Sequence, residues 1–326
     1  MRLRANTPSA ATLVPCEDLE AAIAHYTGAL GYRLDMIMPA DAPRVAVLSR
    51  DGSLVRLEVA RQAMIAASTG NEFMLTRAGA ADAWVVGRAG MHYRDLIPGR
   101  LGGRFIASHI RIPDGGPVAD YVHYHQVRFQ MIYCLRGWVR VVYEDQGEPF
   151  VLNAGDCVLQ PPTIRHRVLE ASPGLEVIEI SGPAEHETLR EHAITLPTAI
   201  FDRQRRFGGQ RFVRHIVAQA DWHAAPEPGF DFRDTGIAAA TDGLASVRVL
   251  RARADAAVTK FDPRTQINRN EFLFWQILDG SLELTSQTLG MHTLQAGDAC
   301  VIPTGADYAL AAGEPCEVLE VALARS

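Results

Sequence analysis

Tyr121-Val122-His123-Tyr124-His125, with Gln130 five residues on and Pro161-Pro162-Thr163-Ile164-Arg165-His166 later, is the segment from which the rest of the chain is read. Strand residues two apart share a face, so His123 and His125 aim both imidazoles at one point. Gln130 opens the apolar run Met131-Ile132-Tyr133-Cys134-Leu135, which the turn Arg136-Gly137 ends. Trp138-Val139-Arg140-Val141-Val142-Tyr143 follows, and the pair predicts a hairpin. A second turn, Asn153-Ala154-Gly155-Asp156, precedes the strand Cys157-Val158-Leu159-Gln160, and a further strand starts near His166 beyond the Pro-Pro corner.

This pattern resembles the cupin superfamily. The first motif of that family runs His-x-His, three or four residues, Glu, six residues, Gly; the second runs Gly, five residues, Pro-x-Gly-x-x-His. His123, His125, Gly137, Gly155, Pro161 and His166 fall in place. Gln130 stands where the family has Glu, and Thr163 where it has Gly. The resemblance implies a metal held by His123, His125, His166 and Gln130, the last either ligating directly or hydrogen-bonding a bound water.

The second half repeats the first. Gly280, Gly297, Pro303 and Tyr308 reproduce the spacing of Gly137, Gly155, Pro161 and His166, with one residue fewer between the glycines. Glu317-Val318-Leu319-Glu320-Val321 echoes Glu176-Val177-Ile178-Glu179-Ile180. A repeat at this scale predicts a bicupin. In the second copy the four ligand positions read Gln266, Asn268, Leu273 and Tyr308, with no imidazole and one side chain that cannot coordinate, so that site is read as metal-free.

Ahead of the repeats, a strand at 11–16, a helix capped by Asp18 with Leu19, Ala22, Ile23, Tyr26 and Leu30 on its apolar face, and strands at 32–38, 44–48 and 54–59 give a βαβββ order. With Asp18-Leu19-Glu20, His25-Tyr26 and Leu30-Gly31-Tyr32, this resembles one module of the glyoxalase-like vicinal oxygen chelate family. Thr12-Leu13-Val14-Pro15-Cys16 lacks that family's first-strand ligand, so the module is read as packing or dimerisation scaffold. The predicted fold class is mainly β: two tandem double-stranded β-helix (cupin) barrels with a small α+β N-terminal βαβββ module. The predicted divisions are a half module at 1–65, a connector with a short helix at 66–100, cupin 1 at 101–195, a connector at 196–235 and cupin 2 at 236–326.

At 326 residues the chain is long enough for domains that each bury a core. A net charge of -6 without a basic block argues against nucleic acid or an anionic membrane surface, leaving a small-molecule substrate as the expected partner, with a homodimer one possible assembly. Five scattered cysteines, an N-terminus with no apolar core behind its charges, and the lack of any apolar run of spanning length predict a cytoplasmic protein with free thiols.

Three imidazoles and an amide suit a divalent metal; Fe(II) is favoured by the resemblance, with Zn, Ni or Mn as alternatives. Without a carboxylate in the set, the ion's charge favours an anionic, bidentate ligand such as an enolate or catecholate. The function expected from resemblance to cupin dioxygenases is a non-haem Fe(II) dioxygenase acting on a small enolic or phenolic substrate. The alternatives are a metal-dependent isomerase, lyase or cyclase, and a non-catalytic small-molecule-binding bicupin. Strand alternation nominates three further catalytic candidates. His109 lies on the strand before the motif, Arg128 shares the parity of Gln130, and Glu170 stands four residues beyond His166. His25, His92, His186, His192, His215, His223 and His292 fit no ligand spacing and receive no role.

Overall fold

The strand Phe129–Arg136 reads as an almost unbroken apolar run because both of its faces are covered. Ile132 and Cys134 face into the first half of the molecule with Val177 and Ile110, while Phe129, Met131 and Tyr133 pack outward against Phe272, Phe274 and Val321 of the second half. The computed structural model describes residues 11–59, 70–79, 84–253, 266–312 and 315–325. The expectations for residues 1–10 and 60–65 of the half module, and for 66–69 and 80–83 of the connector, lie outside the described residues.

The first half is two facing sheets in a jelly-roll arrangement, not a closed barrel. One carries Thr188–Arg190, His123–His125, His166–Ala171, Trp138–Tyr143 and Phe150–Asn153 in that order; the other carries Cys157–Leu159, Phe129–Arg136, Leu175–Gly182 and Ile106–Ile112. The second half repeats this with a sheet through Ala245–Ala252, Glu317–Leu323, Phe272–Asp279 and Ala299–Val301, faced by one through Gln266–Ile267, Asp307–Ala311, Ser281–Ser286 and Gly290–Gln295. The fold is thus mainly β, with the two repeats stacked sheet on sheet and Phe105 lying flat on Phe272 at a ring separation of 4.3 Å.

The N-terminal segment has the predicted order: Thr12–Cys16, a helix Leu19–Gly28, Arg33–Met38, Val45–Arg50 and Ser53–Val59. Asp18 caps the helix by accepting from the Ala21 amide at 2.9 Å. The first strand runs parallel to the fourth, and Leu19, Leu48 and Leu57 form a small core of their own. Its strand Arg33–Met38 also pairs antiparallel with Thr188–Arg190, Ile37 opposite Thr188 and Met36 opposite Leu189, so the module extends the histidine-bearing sheet.

Among the described residues, the stretch between this module and the first repeat holds strands as well as the short helical segments Arg88–Gly90 and Arg100–Gly103. Met74–Thr76 joins the second half by pairing with Ala299–Val301, and His92–Asp95 joins the first by pairing with Ile106–Ile112. Short β-prone runs that find an open sheet edge are captured by it, a tertiary effect that outweighs local preference.

Candidate metal centre

His123–His125 is a three-residue strand held between Thr188–Arg190 and His166–Ala171, with His123 directly opposite His166. Both histidines of the first motif therefore face into the fold and meet the third across one ladder rung. His123, His125 and His166 each offer a ring nitrogen within 4.8 Å of the others, and all three side chains are buried. Every ring is oriented from behind. His123 Nδ1–H donates to the Tyr121 carbonyl at 2.8 Å and His166 Nδ1–H to the Ile164 carbonyl at 3.0 Å, while His125 Nδ1 meets the Thr188 hydroxyl at 3.0 Å. A carbonyl only accepts, so the contacts of His123 and His166 fix their tautomers and leave Nε2 of each as a lone pair. His123 Nε2 is buried with no hydrogen-bond partner. Burial, reinforced by the neighbouring positive charge of Arg88, holds His123 well below the ordinary histidine range; burial also pushes His166 down to about 4. Three neutral, buried imidazoles converging, one of them with a buried nitrogen that has no partner, fit a divalent cation.

The surroundings carry charge that spacing did not reveal. Gln130 is buried, and its Nε2 donates to Glu179 Oε1 at 3.2 Å, which turns the amide oxygen into the end free to accept or coordinate. Glu179 lines the same cavity as His125 and His166. Burial raises its pKa, opposed by the hydrogen bond from Gln130 and by Arg88. A carboxylate therefore sits beside the site although none occupies the Glu position of the motif. Arg88, in the turn Arg88–Gly90, pairs with the fully buried Asp120, which also accepts from the amides of Tyr121 at 2.8 Å and Val168 at 2.9 Å. Burial lowers the pKa of Arg88, but Asp120 together with Tyr93, Tyr121 and Glu179 outweighs it and the guanidinium stays charged. Asp120 also lies 3.6 Å from His123 Nδ1, so the Arg88–Asp120 pair ties the connector to the first ligand.

The cavity holds about 70 Å³. Met91, Ile110, Val141, Val168 and Val177 form its apolar wall, and Arg88, Gln160 and Glu179 bring the polar groups to the histidine end. Tyr143 Oη donates to Gln160 Oε1 at 2.5 Å, which fixes that amide.

The three other candidates sit elsewhere. His109 faces outward: it pairs with Ile178, an outer-face residue, and Nε2 lies 2.8 Å from Glu176 while the ring meets Trp84 edge-on. Ser108 and Ile110, one residue to either side, are the ones that turn inward. Arg128 pairs with Glu271 of the second half at 2.7 Å. Glu170 has the parity of His166 in sequence, but a bulge between Val168 and Glu170 breaks it: Val168 lies opposite Val141 while Glu170 lies opposite Arg140. Glu170 therefore points outward and pairs with Arg140 at 3.0 Å. Arg88, Glu179 and His186 are what the sequence reading missed. The echo of Glu176 to Ile180 in the second half already marked position 179, and the parity of Glu179 with Val177 placed it inward.

In the second half the corresponding positions are tied into one another. Tyr308 Oη donates to Gln266 Oε1 at 2.8 Å, Asn268 Nδ2 donates to the Ile302 carbonyl at 2.8 Å, and Leu273 is core. Glu320, the counterpart of Glu179, is held by Arg248 at 2.6 Å and by Trp275 Nε1–H at 3.0 Å.

A family model described as a cupin domain matches residues 108–179, the span that contains all three histidines. The solved structures share this fold over about four fifths of the chain. Salicylate 1,2-dioxygenase from Pseudaminobacter salicylatoxidans superposes with a TM-score of 0.56 at 15% identity, covering 78% of this chain and 84% of that one. The protein Ylba from E. coli gives 0.53 at 13%, covering 82% and 96%, and a deletion mutant of Bacillus subtilis oxalate decarboxylase OxdC gives 0.53 at 13%, covering 77% of each chain. No curated protein matches the sequence. Among the described residues no helix is long and apolar enough to cross a membrane.

Proposed function

We propose that this chain is a metal-dependent enzyme whose His123, His125 and His166 hold a divalent ion, Fe(II) by preference, with Gln130 as a further ligand or a partner of bound water, and that it acts as a dioxygenase on a small oxygenated substrate. The observation that carries the reading is the convergence of three neutral, buried imidazoles, two of which line a cavity with a largely apolar wall. The structural neighbours named as a dioxygenase and a decarboxylase lend support at the level of fold. When bound, the ion would supply a Lewis-acidic centre for an anionic oxygen and, as iron, a route to oxygen chemistry.

The chain's own residues then divide the work. Glu179, its pKa raised by burial, is suited to take or return a proton at Oε1 or Oε2 beside the histidines. Arg88 places a permanent positive charge at the same end and favours an anionic substrate. The apolar wall excludes water and strengthens these charges. Size narrows the substrate: a cavity of roughly 150 Å³ accommodates benzene, so about 70 Å³ favours a compact enolate or hydroxy-ketone over a phenol. Glu179 also favours a second reading, an isomerase or lyase that needs proton transfer and no oxygen.

Metal analysis of the purified chain, with oxygen uptake measured over a panel of enolates and phenols, separates these readings. Iron with uptake is the expected result; zinc or nickel with turnover but no uptake selects the second reading. Bound metal with no turnover on any member would leave a binding protein.

A further inference from the structure

A smaller chamber adjoins the metal-centre cavity and shares Arg88, Tyr93, His125 and Glu179 with it as a common wall. Its far side is built by Pro39, Ala40 and Asp41 of the N-terminal module, together with Ser108 and His186. Two groups facing it lack partners. His186 is 6% exposed; its Nδ1–H donates to the Pro183 carbonyl at 2.8 Å, so Nε2 is a bare acceptor, buried and unpaired. Asp41 is 7% exposed; one carboxylate oxygen pairs with Arg100, and the other, Oδ1, is buried and unpaired. The His186 ring stands 5.3 Å from that of His125, edge to face.

Buried acceptors without donors are costly, and two in one chamber call for a donor to fill it. With about 20 Å³ the chamber exceeds the roughly 10–15 Å³ that a single water needs while remaining too small for an organic body, and one water supplies the two donors that the two acceptors lack. We propose that His186 and Asp41 form a hydroxyl-recognising subsite beside the metal centre, filled in the free protein by one water that donates to both and in the complex by a substrate hydroxyl that donates to one of them, through which the N-terminal module helps set substrate specificity. The inference deepens the proposed function and rests on it for the substrate half.

Two measurements test it. In a high-resolution crystal structure of the full chain, one water is expected within hydrogen-bond distance of both His186 Nε2 and Asp41 Oδ1; an empty chamber overturns the proposal. In calorimetry on the Zn(II)-loaded protein, glycolate is expected to bind more tightly than methoxyacetate, and the ratio should fall about tenfold, the worth of one hydrogen bond, in whichever of His186→Phe and Asp41→Asn removes the acceptor that takes the hydroxyl's single proton. Melting curves establish that each variant is folded, and His186→Leu or Asp41→Ala replaces one that is not. A water present with a ratio unmoved in both variants means a structural water only and overturns the specificity role. Failure to bind any metal would instead defeat the proposed function, and the crystallographic water would still judge the chamber.

Discussion

Thr163 adopts φ +68°, in the left-handed region where a β-branched side chain is strained, at the position where the second half has Gly305 at φ +86°. Its backbone N–H donates to the His125 carbonyl at 3.1 Å, so the strained residue is also a tether for a metal ligand. The left-handed conformation costs an L-residue about 1–2 kcal/mol, and glycine returns about 0.5–1 kcal/mol through its looser unfolded chain. Thr163→Gly should therefore stabilise the protein slightly, by up to about 1 kcal/mol, read from the denaturation midpoint. The histidines give the second expectation at this scale. Their pKa values are depressed in the fold, so below the ordinary value of 6.5 the unfolded chain binds more protons than the folded one and stability declines. The metal-free protein should hold its melting temperature above about pH 6.5 and lose it progressively as the pH falls towards about 4, where His166 protonates in the fold. His123→Ala should abolish metal binding in elemental analysis while leaving the β-sheet circular dichroism unchanged, because the ligand ring is no part of the cores of either half.

The element scale explains which carboxylate belongs to the site. The strand His166–Ala171 contains a bulge, so alternation counted from His166 fails after Val168 and sends Glu170 to the surface. The neighbouring strand Leu175–Gly182 keeps its alternation across the same span, and Val177 and Glu179 both face inward. Glu170→Ala removes only an exposed pair with Arg140, so metal content should be unchanged and stability should move by less than about 1 kcal/mol in urea titration. Glu179→Gln should retain the metal and lower turnover at least about 100-fold if Glu179 is the acid–base group; equal turnover in the two proteins would remove it from the chemistry. A bulge leaves no mark in a pattern of residue types, since the extra residue, Leu169, is as compatible with a regular strand as its neighbours.

For the whole molecule, the two halves are joined through the outer faces of their sheets. Phe129, Met131 and Ile178 from one half share a single core with Phe272, Phe274 and Leu319 from the other. Phe272→Ala should therefore destabilise both halves together by about 3–5 kcal/mol. Guanidinium unfolding followed by tryptophan fluorescence and by far-ultraviolet dichroism should still give one coincident transition; separated transitions would show that the halves unfold independently.

The sequence by itself determined the repeat, the β architecture, the N-terminal order of elements and the three histidines, because each is a local rule of spacing: period two along a strand, glycine at a turn, imidazoles one pleat apart. What surrounds the histidines was decided only by tertiary structure. Arg88, Asp41 and His186 come from segments 35, 82 and 20 residues distant from the nearest ligand in the chain. They arrive because three connections between strands, one of them from the N-terminal module, meet around one chamber. His109, Arg128 and Glu170 look inward by counting and face outward or across to the other half because strand pairing, a bulge and the partner sheet set the orientation. Burial and charge act through space, and no rule of spacing along the chain records them.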